Sequence, residues 1–144
     1  MRGRLLFTVL VAAGALANAA LAAAPTETIR LHPQHGSTVS GSATIGASGA
    51  GTAVSLDLRG LTPGSSVRAR ALFAGTCAHF GAIFAGITTA TANATGLIHA
   101  RGRILFLEMS VDYGAIADGA HVITIGSGSR VVACGVIPGI SGRP

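Results

Sequence analysis

At 144 residues the chain is one domain of ordinary size, long enough to bury a single core. Hydrophobic residues make up 49% but aromatics only 4%, with no Trp and 21 Gly. The core must therefore be built from Val, Ile, Leu and Ala, which suits stacked sheets with glycine turns better than helices. All ten basic residues are Arg and the net charge is +5, yet the arginines are spread with no run and few aromatics between them, which argues against a nucleic-acid-binding stripe.

Met1-Arg2-Gly3-Arg4 is a positively charged start, followed by an apolar run from Leu5 to Leu16 too short to cross a bilayer as a stable helix. Ala20-Leu21-Ala22 offers a small-residue cleavage site, with Ala22-Ala23-Ala24 as a second. Residues 1–22 are expected to be a signal peptide, and the protein to be secreted or periplasmic with no stable membrane anchor after cleavage. Losing Arg2 and Arg4 leaves eight Arg against five acids, a net of +3.

From there the pattern is one of short strands and turns. Thr26 to Leu31 alternates, Val39 to Ile45 is a weaker run, and Val54, Leu56 and Leu58 alternate with Ser55, Asp57 and Arg59. Thr62-Pro63-Gly64 is a turn, Pro fixing φ and Gly free to take a positive one. Val67, Ala69 and Ala71 then alternate with Arg68 and Arg70, and residues 74–82 read as a loop. Ile83 to Thr91 is a strand, Asn93-Ala94-Thr95-Gly96 a hairpin turn, and Leu97 to Leu107 the return strand. An irregular piece around Tyr113-Gly114 precedes a turn at Asp118-Gly119, a strand from Ala120 to Ile125, a hairpin at 126–129, and a last strand from Arg130 to Val136. No stretch sustains a helical period. About eight antiparallel strands predict an all-β Greek-key sandwich over residues 26–137, with 138–144 a flexible tail.

Two cysteines in an exported chain most simply form one disulfide, Cys77 to Cys134. A redox or metal role for them lacks the C-x-x-C spacing.

Gly60-Leu61-Thr62-Pro63-Gly64 before Cys77, and Val132-Ala133-Cys134-Gly135-Val136-Ile137, resemble the copper–zinc superoxide dismutase superfamily. With Ala117-Asp118-Gly119-Ala120-His121-Val122-Ile123 the resemblance narrows to its metal-free branch, the CHRD-like bacterial secreted domains. It implies a superoxide dismutase-like Greek-key fold with one disulfide between these two segments. In the catalytic family three histidines follow the Gly-Leu-Thr turn, the second and third binding copper. Counted from Gly60, those positions are Ser66, Ala69 and Ala71, and a further copper position falls on Ile125. The loop after Cys77 is too short for the family's bridging and zinc ligands, and Arg130 abuts its strand too closely to take the catalytic arginine's role.

The remaining histidines read as structural. His32 and His35 flank Pro33 in a surface turn, His79 is a loop residue, His99 faces solvent from a strand, and His121 opens a strand where its ring can bond the Asp118 turn. The sequence shows neither a dinucleotide fingerprint nor a nucleophile elbow, and Gly126 to Arg130 reads as a plain hairpin rather than an anion nest. The expectation is an exported, non-catalytic binding or structural module without metal, cofactor or catalytic residues, its partner unknown, with homodimerisation through a sheet face as the one specific option. The alternative is a superoxide dismutase-related metalloprotein with a rearranged site drawn from His32, His35, His79 or His121.

Overall fold

The computed structural model describes residues 23–73 and 75–140. The expected signal peptide and residues 141–144 of the expected tail lie outside the described residues. In chain order the elements are β1 (Thr26–Pro33), β2 (Ser40–Ser48), β3 (Gly51–Arg59), β4 (Ser66–Phe73), β5 (Ile83–Thr91), β6 (Ile98–Arg103), β7 (Leu105–Phe106), β8 (Met109–Ser110), α1 (Tyr113–Ile116), β9 (His121–Ser127) and β10 (Arg130–Val136). Eight are full strands, as the alternation predicts; β7 and β8 are two residues each.

Neighbouring strands run in the order β6-β3-β2-β1-β10-β9-β4-β5-β7-β8, every pairing antiparallel. β1, β2, β3 and β6 form one layer, and β10, β9, β4, β5, β7 and β8 form the other. The end of β1 joins them, with His32 opposite Cys134 and Pro33 opposite Ala133. At the far side the wall nearly closes. A Cβ on Gly102 of β6 would lie 2.7 Å from the Ile87 carbonyl oxygen of β5, so only glycine lets the two strands approach this closely.

Two expectations change in detail. Residues 93–96 do turn the chain, the Asn93 side chain accepting from the Thr95 and Leu97 amides at 2.9 and 3.0 Å. The strands on either side are not a hairpin pair, however, because β6 pairs with β3 of the other layer. The expected long return strand also breaks, at Ile104. There the chain leaves β3 and crosses to β5, with the buried Ile104 amide donating to the Thr52 carbonyl at 3.0 Å. The irregular piece contains one helical turn, capped by Asp112, whose carboxylate accepts from the Gly114 amide at 2.8 Å.

The core between the layers is aliphatic. Leu31, Ile45 and Leu56 from one layer meet Ile123 and Ile125 from the other, with Ile104, Ile116 and Ile137 filling the ends. Ile140, inside the expected tail, donates its amide to the Ala117 carbonyl at 3.0 Å.

Candidate functional site on the outer face of the second layer

The turn before β4 sets which of its side chains face outward. Gly60 and Gly64 take φ values of 78° and 77°, and a Cβ on Gly60 would lie 2.2 Å from the Thr38 carbonyl oxygen. Thr38 Oγ1 donates to the Gly60 carbonyl at 2.8 Å and fixes the entry. Beyond this turn Val67, Ala69 and Ala71 point into the core, while Ser66 and Arg68 are exposed and Arg70 is half-buried. β9 alternates in step: Ile123 and Ile125 point inward, and the register sets Arg68 opposite Gly126, Arg70 opposite Thr124 and Leu72 opposite Val122.

One end of this outer face is sealed. Leu72, Val122 and Cys134 form a small apolar cluster against which Cys77 and Phe80 of the loop pack. The disulfide joins Cys77 to Cys134 as expected, with Cα atoms 5.7 Å apart. The other end is an open groove of about 280 Å³, lined by Arg68, Arg70 and Arg130 together with Thr89, Thr124 and the 128–129 turn. No acidic side chain lines it. Arg130 Nη2 donates to the His35 carbonyl at 3.0 Å, and among the described residues Arg68 and Arg70 have no ion-pair partner. Their separation in sequence hid this cluster. The signals available were the Arg-x-Arg alternation of one strand and an arginine at the start of a hairpin return.

The opposite face has a wider depression of about 640 Å³. There His99 Nδ1 pairs with Asp57, and Arg59 Nε donates to Ser40 Oγ at 3.3 Å, so its cations are partly answered.

The copper positions implied by resemblance do not form a metal site. Ala69, Ala71 and Ile125 are packed in the core, and Ser66 stands on the outer face hydrogen-bonded to Thr91 at 3.0 Å. The inward methyls have no lone pair, and the outward guanidiniums are always protonated and donate only. The donor set therefore does not fit copper held by several imidazoles. Nor do the histidines converge: among the described residues, no three His, Cys, Asp or Glu side chains could hold a metal ion. His32 is exposed near the end of β1. His35 places Nδ1 3.2 Å from the Val131 carbonyl and its ring edge-on to Phe80 at 6.5 Å. His79 is exposed in the disulfide loop, its amide bonded to Thr76.

His121 is the exception in burial, with 1% of its surface exposed. Its Nδ1 lies 2.8 Å from Asp118 Oδ1, and Phe73 stands edge-on to its ring at 5.0 Å. Burial raises the Asp118 pKa, but hydrogen bonds from His121 and the Ala120 amide outweigh it and hold the carboxyl below its usual range. This fastens the turn into β9, as the sequence suggested.

Among solved structures, the fold is similar to that of a point mutant of an SOD-like protein from Bacillus subtilis, with a TM-score of 0.58 and 15% sequence identity over 78% of this chain and 97% of that one. At that identity the likeness shows the fold alone. No family model matches the chain, and no curated protein matches it.

Proposed function

We propose that this chain is an exported binding module on a superoxide dismutase-like fold, with no metal centre and no catalysis. One observation carries the reading: β4 offers no imidazole on either face, with alanine methyls inward and a serine hydroxyl and arginine guanidiniums outward. Without a redox metal, this face has nothing to pass single electrons to and from superoxide. A disulfide between the loop and β10 fits an oxidising, extracytoplasmic compartment. The resemblance of Ala117 to Ile123 and Val132 to Gly135 to the metal-free CHRD-like branch agrees with this role.

The test is metal retention. The mature protein is loaded with copper and zinc, desalted, and assayed for metal content and superoxide dismutation. The expected result is neither metal at stoichiometry and no activity above free copper. Stoichiometric copper with chelator-resistant activity, lost in His79→Ala or His121→Ala, would overturn the reading in favour of a rearranged histidine site.

A further inference from the structure

We propose that Arg68, Arg70 and Arg130 form a binding site for a tetrahedral oxyanion group, a phosphate or sulfate, either free or at the end of a larger molecule. This gives a ligand class to the binding role proposed above and rests on it.

Four observations converge. First, β4 sets Arg68 and Arg70 two residues apart on one face, about 7 Å along the strand, a distance that two long guanidinium side chains can close around one ion. Second, the third cation is partly fixed, because Arg130, which lines the groove, has Nη2 held by the His35 carbonyl at 3.0 Å and keeps further N–H groups beyond that one bond. Third, no acid lines the groove, so the three arginines that line it have no counter-charge there. Arg68 and Arg70, about 7 Å apart along the strand, lie within a Debye length of about 8–10 Å, so the folded strand holds them together against their own repulsion. A bound anion relieves that repulsion. Fourth, hydroxyls and a glycine border the groove. Thr124 is 3% exposed, Thr89 stands on the neighbouring strand, and Gly126 beneath Arg68 carries no side chain.

The chemistry selects among anions. A guanidinium fork matches pairs of oxygens, and three forks suit a group with three or four oxygens and close to two negative charges better than a single carboxylate. The groove is lined by no aromatic side chain, so it has no platform on which bases would stack.

Binding is read by thermal unfolding and by calorimetric titration of the full mature protein. The probes are inorganic phosphate, sulfate, a simple phosphomonoester and acetate, each against chloride at equal ionic strength. Phosphate or sulfate should raise the midpoint in a saturable way, as a ligand of the native state does, and acetate should not. Protection by the phosphomonoester but not by the free ions also supports the site, and identifies the group as part of a larger molecule. Arg68→Gln with Arg70→Gln should weaken the apparent affinity by about tenfold or more, since each lost charge-assisted bond is a large fraction of a small ligand's affinity. Arg101→Gln, on the other layer, should leave it unchanged. Gly126→Ala is an independent probe: its Cβ would meet the Arg68 carbonyl oxygen at an ordinary 3.6 Å, so the strand keeps its course while a methyl rises into the groove and weakens binding. Protection no greater than chloride gives, protection equally strong with acetate, or full affinity in the double variant would each overturn the site. None of these outcomes bears on metal retention, which is measured separately.

Discussion

The two halves of one sheet face teach more than any single residue here. Along the outer side of β4 and β9, Leu72 and Val122 lie under the disulfide loop with Cys134, Cys77 and Phe80. One or two steps along the same strands, Arg70 faces Thr124 and Arg68 faces Gly126, beyond the apolar cluster under the loop and with Arg68 exposed. The backbone ladder is continuous across both halves. What changes is the cover: the loop after Cys77 reaches only the first half, and the side chains switch from apolar to cationic where it ends. The covered half contributes stability, and the bare half is a surface whose charges await a counter-ion from outside.

The strongest way to break this contrast is to cut the staple. Replacing Cys77 and Cys134 together by Ala should cost about 2–5 kcal/mol in denaturant unfolding, because the bond ties residues 57 apart in sequence. Retained stability would mean that the loop is held by packing alone. Next is Leu72→Ala, a truncation of a buried side chain under the loop, expected to cost about 2–4 kcal/mol and to raise protease cleavage within residues 75–82. An equal cost without any change in cleavage would separate the cluster from the loop.

Smaller is the pH effect at the turn into β9. The Asp118 carboxyl is held below its ordinary value, so its contribution is fully present above about pH 4 and is lost as the pH falls through the lower folded value. Asp118→Asn should flatten that acid limb of the stability curve. An unchanged limb would assign it to other carboxylates. Smallest of all, Arg70→Gln should alter stability by less than about 0.5 kcal/mol, since among the described residues Arg70 has no ion-pair partner to lose.

Much of this was legible in the sequence. The eight long strands follow from period-two alternation, the disulfide from the presence of two cysteines, and the His121–Asp118 contact from their place at a turn. The crossing at Ile104 was not, because apolar residues on both sides of it read as one uninterrupted strand. The arginine groove was hidden because it joins β4 to the start of β10, which only the pairing of both with β9 brings together. β4 itself holds the sharpest lesson. Counting residues from Gly60 places copper positions on Ala69 and Ala71, whereas the alternation of the same strand turns those residues inward and Arg68 and Arg70 outward. A one-residue step exchanges the two faces of a strand, so the burial pattern decides what a motif offset cannot.

The account therefore turns on which way β4 faces, and paired histidine substitutions test this directly by urea unfolding. Ala69→His with Ala71→His would force two polar rings into a closely packed core, and should cost about 3 kcal/mol or more or prevent folding. Arg68→His with Arg70→His changes only outward side chains, and should leave stability within about 0.5 kcal/mol. A stable, unaltered fold with the alanines replaced, and a collapse with the arginines replaced, would contradict the assignment of the faces and with it both the metal-free reading and the oxyanion site.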